Sequence, residues 1–231
     1  MKIGVVVFPG SNCDEDMVYA LRAGLRLNVI TLWHKDHDLQ NCDYILLPGG
    51  FSYGDYLRSG AIAHFSPIMK EVIDFANKGG IVFGVCNGFQ ILCEAGLLPG
   101  VLLHNLHHQF ICKNTFIKAE HNNSLLTSGI PMNKALMIPI AHGEGNFFTS
   151  DDEIKKMEDN EQILFRYCDN LGNVTPESNP NGTKDNIAGI CNAQKNVFGM
   201  MPHPERAVDN ELNNTTGRII FESLFNLVKA F

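Results

Sequence analysis

Short apolar runs alternate with helix-length amphipathic stretches through the first half of the chain, and this alternation constrains the fold more than any other feature. Residues 2–8, apolar and rich in valine from Ile3 onward, read as a strand buried on both faces. Residues 14–27 follow with Met17, Val18, Leu21 and Leu25 at helical spacing. Residues 28–33 and 43–47 read as two further strands, and residues 81–85 as a fourth. Residues 61–77 between them read as helical, with Ser66 as an N-cap and Pro67 at the first helical position. Buried strands alternating with helices imply an α/β fold, a mostly parallel sheet flanked by helices, whose ligands bind at the carboxyl ends of the strands.

The second half is patterned differently. β-like pieces at 101–120, 136–140, 162–169, 187–192 and 197–201 are separated by turns and predict an antiparallel extension. Residues 170–186 are rich in Asn, Gly and Pro and predict a long surface loop. Residues 216–231 place Ile219, Ile220, Leu224, Leu227 and Val228 on one face of a closing helix. With 231 residues, 45% of them hydrophobic and 19% charged, a single domain over 1–231 is expected.

A formal net charge of -7 and the absence of a basic run exclude a nucleic-acid footprint and leave small molecules or proteins as partners. The apolar start is too short to cross a membrane and runs into Asn12, Asp14, Glu15 and Asp16, so no membrane association and a cytoplasmic setting are expected. Seven cysteines without paired spacing suit a reducing compartment, where most are small buried hydrophobes and one is reactive. His104, His107 and His108 lack a cysteine or carboxylate at ligand spacing, so no metal is expected, and His34 and His37 read as a solvated loop.

Gly84, Cys86 and Gly88 place one cysteine in Gly-x-Cys-x-Gly between a predicted strand and a predicted helix, the thiol counterpart of the Gly-x-Ser-x-Gly nucleophile elbow. The sharp turn requires small flanking residues, and the helix start supplies a positive dipole end that suits an anionic sulfur. A thiolate nucleophile needs a base and an orienting group. His203-Pro204-Glu205 follows the 197–201 strand; residues two apart in an extended segment lie about 6.6 Å apart on one side, within reach of a glutamate folding back on its imidazole. Pro48-Gly49-Gly50 ends the 43–47 strand, where backbone amides of Gly50 and of Asn87 could bracket a developing oxyanion.

In this order, Pro-Gly-Gly, Gly-x-Cys-x-Gly and His-Pro-Glu resemble the class I glutamine amidotransferases over almost the whole chain. PGGFSYGDYLRSG at 48–60, GVCNGFQ at 84–90, AHGEG at 141–145, NPNGTKDNIAGICN at 179–192 and GMMPHPERA at 199–207 are similar to the glutaminase subunits that serve an ATP-dependent synthetase of purine synthesis. The resemblance implies a flavodoxin-like sheet with Cys86, His203 and Glu205 as a catalytic triad at its carboxyl edge. It implies glutamine as substrate, Gly50 and Asn87 as the oxyanion hole, and Gln90, His142, Gly143 and Glu144 as substrate-binding residues. It further implies two protein partners, a small bridging subunit together with a large synthetase subunit, with ATP and magnesium on the synthetase and no cofactor in this chain. No Gly-x-x-x-x-Gly-Lys-[Ser/Thr] phosphate loop argues otherwise. Two other readings compete. A glyoxalase-like cysteine hydrolase would carry a histidine after the elbow cysteine, where this chain has Asn87, and a non-catalytic scaffold is disfavoured by the intact triad.

Overall fold

The computed structural model describes residues 1–132 and 134–227. The chain divides into two compact units, residues 1–99 with 196–199, and residues 100–195 with the chain from 200 onward.

The first unit holds β1 (Ile3–Val7), α1 (Asp14–Tyr19), β2 (Val29–Trp33), β3 (Tyr44–Leu47), α2 (Pro67–Asn77), β4 (Ile81–Val85) and α3 (Asn87–Glu94). Its strands run parallel in the order β2-β1-β3-β4, the doubly wound order of flavodoxin-like folds. The Val, Ile, Leu and Phe side chains that mark these strands in the sequence are the ones that lose solvent. Val5, Val6, Ile45, Leu46, Val82 and Phe83 are fully buried, each contributing roughly 1.5–3 kcal/mol of transfer free energy. Residues 196–199 return to this unit beside β4, where the Val82 amide donates to the Asn196 carbonyl (2.9 Å). The helix expected over 14–27 is α-helical only through Tyr19 and widens into a π-turn at Ala20–Gly24. Ser66 does precede α2, but its hydroxyl hydrogen-bonds Tyr53 (2.9 Å) instead of capping the helix.

A further expectation fails in this unit. His34 is not part of a solvated loop: it is 4% exposed, and its Nδ1 lies 2.6 Å from the Tyr53 hydroxyl. The cause is that β2's alternation runs one residue further than its ladder, with Leu32 buried, Trp33 exposed and His34 buried, while the His34 amide still donates to Val7 (3.0 Å). His37 is exposed as expected.

The second unit contains β5 (Val101–Leu103), β6 (Ile111–Ala119), β7 (Leu136–His142), β8 (Asn146–Phe148), α4 (Asp151–Asp159), β9 (Ile163–Cys168), β10 (Ile187–Cys191), β11 (Val197–Met200), which straddles the division, and α5 (Arg218–Leu224). The order β10-β9-β6-β7 is antiparallel throughout, and β5 pairs antiparallel with β8 as a separate ribbon. The antiparallel extension is therefore present, although the 101–120 piece is two strands. Helix α4 is not foreseen by the apolar pattern. Its signal is nonetheless local: Ser150 accepts a hydrogen bond from the Glu153 amide (3.2 Å), and Asp151, Asp152 and Glu153 fill the first turn. The closing helix occupies Arg218–Leu224, and the expected continuation through Val228 lies outside the described residues.

Residues 170–186 form a loop, and side-chain amides knit it together. The Asn186 Nδ2 donates to the carbonyls of Tyr167 (3.1 Å) and Thr175 (2.8 Å) and to the Ser178 hydroxyl (3.1 Å). Asn179 accepts from the amides of Asn181 (3.3 Å) and Gly182 (2.8 Å) and donates to the Thr183 carbonyl (2.7 Å). Thr175 and Ser178 form a reciprocal capping box. Removing the Asn186 amide takes one donor from each of the Tyr167 and Thr175 carbonyls and leaves the Ser178 hydroxyl to hold them, so Asn186→Ala is expected to cost roughly 0.5–1.5 kcal/mol in urea unfolding and to open residues 170–186 to limited proteolysis. An unchanged midpoint with unchanged protection would show that the network does not hold the loop.

Candidate active site

The Gly84–Gly88 elbow is built by a close approach of backbone to backbone. Gly84 is the last β4 residue in register with β3, opposite Leu47. A Cβ on Gly88 would sit 2.0 Å from the Leu47 carbonyl oxygen, and one on Gly84 would sit 2.6 Å from the carbonyl of Gly88. Neither position admits a side chain. Between them Cys86 heads α3 with φ 50° and ψ −108°, a conformation that costs a non-glycine residue roughly 1–3 kcal/mol and that persists only where its surroundings impose it. Cys86 is 4% exposed, and its carbonyl accepts from the Gln90 amide (3.1 Å) as the first turn of α3 closes.

The residues expected near the oxyanion come together in the same unit. The Asn87 Oδ1 accepts from the Ser52 amide (3.2 Å), two residues after Gly50, and its Nδ2 donates to the Gln90 Oε1 (2.9 Å) and the Asp55 carboxylate (3.4 Å). Gly50 has φ 120°, and a Cβ there would lie 2.6 Å from the Asn12 nitrogen; the Ser11 hydroxyl donates to the neighbouring Gly49 carbonyl (3.2 Å). Asn87 and Gln90 are both buried. Asn12, Ser52 and Asp55 are thus part of the site's support, a role that nothing in their own sequence positions announces.

In the second unit the chain leaves β11 with the Met201 amide donating to Ala188 (3.0 Å) and the His203 amide donating to Pro139 (2.8 Å). The His203 Nδ1 lies 2.6 Å from the Glu205 Oε1, and both side chains are almost fully buried. The pairing geometry differs from the extended segment expected. Pro204–Arg206 is a single 3-10 turn, and the Arg206 amide donates back to His203 (3.2 Å), so the turn folds the glutamate onto the imidazole. A carboxylate at this distance favours the tautomer with the proton on Nδ1.

His142, expected among head-group contacts, ends β7 and is only 3% exposed. Its Nδ1 lies 3.0 Å from the Asn105 Oδ1 and its Nε2 lies 3.5 Å from the Asn181 Nδ2. Burial, reinforced by repulsion from His203, drives its pKa down to about 3. The side chain is turned inward onto these two asparagines. Gly143 and Glu144 are partly exposed, and Glu144 sits 3.5 Å from His104.

Burial pushes up the thiols of Cys42, Cys93, Cys168 and Cys191, strongly for Cys93 and to about 11 for Cys168 and Cys191, whereas Cys112 is exposed. Among the described residues no cluster of three or more His, Cys, Asp or Glu is arranged to hold a metal, and no helix is long and apolar enough to cross a membrane. A wide groove of about 920 Å³ in the second unit, lined by Lys118, Glu120, Glu158 and Arg166 among others, contains none of the nominated residues.

Residues 1–223 match the CobB/CobQ-like glutamine amidotransferase domain. The phosphoribosylformylglycinamidine synthase subunit PurQ of Chlorobaculum tepidum is 54% identical over 225 residues, covering 97% of this chain and 96% of that protein. The PurQ subunit of Moorella thermoacetica is 54% identical at 97% and 95% coverage. PurLQS from Thermotoga maritima contains a chain 39% identical, covering 99% of both chains with a TM-score of 0.86. The flavodoxin-like α/β architecture, the strained cysteine elbow and these relatives converge: the chain belongs to the CobB/CobQ-like glutamine amidotransferases, alongside the PurQ subunits of phosphoribosylformylglycinamidine synthase.

Proposed function

We propose that residues 1–231 act as one glutaminase that hydrolyses glutamine to glutamate and ammonia and passes the ammonia to a partner synthetase. The partner then converts formylglycinamide ribonucleotide to formylglycinamidine ribonucleotide with ATP and magnesium, and a small bridging subunit joins the two in the cytoplasm. The observation that carries the reading is Cys86 held at φ 50° between Gly84 and Gly88, a strain that serves a nucleophile and that nothing else in β4 or α3 requires. The names of the relatives support the substrate and the partner.

In this mechanism the Cys86 sulfur attacks the side-chain amide carbon of glutamine. The tetrahedral oxyanion is met by the backbone amides of Gly50 and Asn87, where loss of one donor typically costs roughly 10²- to 10³-fold. His203, oriented through Nδ1 by Glu205, takes the Cys86 thiol proton at Nε2 and delivers it to the leaving nitrogen, which departs as ammonia. The same nitrogen then takes a proton from the water that cleaves the γ-glutamyl thioester and returns it to the released Cys86 sulfur. Gln90 orients Asn87 through the 2.9 Å amide contact, and Gly143 and Glu144 lie on the turn that would meet the glutamine head group.

Three measurements test this. A glutamine analogue with an electrophilic side chain is expected to modify Cys86 alone, whereas a small general alkylating agent also reaches exposed Cys112. Analogue labelling at Cys112 or Cys93, read by peptide mass mapping, would remove the nucleophile assignment. Cys86→Ala is expected to abolish glutamine-dependent product in the reconstituted complex while added ammonia is still used, and joint loss of both activities would place Cys86 in a structural role. Glu205→Gln keeps the shape of the pair but removes the charge that holds the imidazole, so kcat for glutamine should fall by roughly 10²- to 10⁴-fold with KM little changed. A variant within about 3-fold of the parent would show that Glu205 does not orient the base.

A further inference from the structure

His142 is buried against two amides whose orientations are forced, and that fixes its protonation state. The Asn105 Nδ2 donates to the carbonyls of Gln109 (2.8 Å) and His142 (2.8 Å), so its Oδ1 must be the acceptor. That oxygen takes the Gly145 amide (3.0 Å) and therefore takes a proton from the His142 Nδ1 (3.0 Å). The Asn181 Oδ1 accepts from the Thr183 amide (3.1 Å), so its Nδ2 is the donor, bonded to the Gly145 carbonyl (2.8 Å) and aimed at the His142 Nε2 (3.5 Å). A second proton on Nε2 would face an N–H group and find no acceptor. Both asparagines are 1% exposed, and a Cβ on Gly145 would lie 2.3 Å from the imidazole, so the 142–145 turn is wrapped tightly around the ring.

We propose that Asn105 and Asn181 are positioning residues for glutamine hydrolysis, holding His142 as an uncharged Nδ1–H imidazole beside the base His203. This rests on the glutaminase reading of His203. When His203 takes the thiol proton it becomes a cation in a buried setting, and a second imidazolium nearby would oppose it. Among the described residues, His107 and His108 on the turn that begins at Asn105 are exposed to solvent, and the groups nearer His142 are these. His203 faces it from the segment after β11, Ile111 is its apolar partner on β6, and Glu144 and His104 are turned to each other at 3.5 Å. The two amides thus leave one of two neighbouring histidines able to accept a proton, and the depressed pKa of His142 agrees with this arrangement.

Two measurements on the full chain test the proposal. Nitrogen NMR of the histidine-labelled protein is expected to show His142 neutral, with its proton on Nδ1, throughout the range in which an ordinary imidazole titrates. A proton on Nε2, or titration near the ordinary histidine pKa, would overturn the proposal whatever the variants do. Asn181→Asp places a carboxylate opposite Nε2 and favours a second proton on His142. With L-glutamine and the synthetase complex, kcat of this variant should fall about 10-fold or more, relative to the parent, as pH drops through the new His142 titration, and should recover at higher pH. A loss by the same factor at every pH would reveal a merely structural role and would also overturn it. If the variant does not fold, the tautomer of the parent protein decides. Absence of any hydrolysis by the parent complex would instead remove the glutaminase reading, a result distinct from either failure above.

Discussion

The carbonyl oxygen of Leu47 occupies the space where a side chain on Gly88 would project, and the site in the first unit depends on that contact. Only with α3 this close to β3 and β4 can the turn be short enough to force Cys86 to a positive φ. The same approach brings Asn87 within reach of the Ser52 amide and so ties the residue after the cysteine to the turn after Gly50. A methyl group on Gly88 would push the helix outward, and cysteine geometry, oxyanion turn and the Asn87–Gln90 contact would loosen together.

The second unit holds its functional groups by another means. Sterics dominate at the elbow, but around His203 and His142 the positions are set by hydrogen bonds in a setting from which water is excluded, where each bond is electrostatically strong and each omission costly. The His203–Glu205 pair rests on a turn whose amides bond to Pro139 and back to His203 itself. The 142–145 turn rests on Asn105 and Asn181. A group that must change its charge gains from this arrangement, since fixed dipoles do not have to reorganise as the proton moves.

How much of this is legible in the sequence follows from the range over which each signal acts. Strands β1, β3 and β4 and the elbow are readable because apolar runs, glycines and a strand-to-helix junction are contiguous. His203 and Glu205 are readable because two residues suffice to state the pair, although the turn that joins them reads as extended chain. Helix α4 escapes the apolar pattern even though Ser150 and Glu153 spell its start, because only Ile154 and Met157 are buried and its apolar stripe is thin. His34 misleads because its partner, Tyr53, lies 19 positions away. Asn105 and Asn181 give no sign: an asparagine that clamps a buried turn has the same composition and flanks as one in a solvated loop, and the partners that join these two to the 142–145 turn lie more than 30 residues distant.

Asn181 also stands before Gly182, and an asparagine followed by glycine is the dipeptide most prone to lose its side-chain amide spontaneously. The reaction needs the glycine nitrogen to swing onto the asparagine carbonyl carbon and close a five-membered imide ring. Here that nitrogen is committed to the Asn179 Oδ1 (2.8 Å), and the Asn181 amide is anchored to Gly145 and Thr183. Ring closure would require both anchors to break in a buried turn. The bonds that orient this amide therefore also slow its chemical ageing, so the protein guards an amide of its own by denying it the freedom to react.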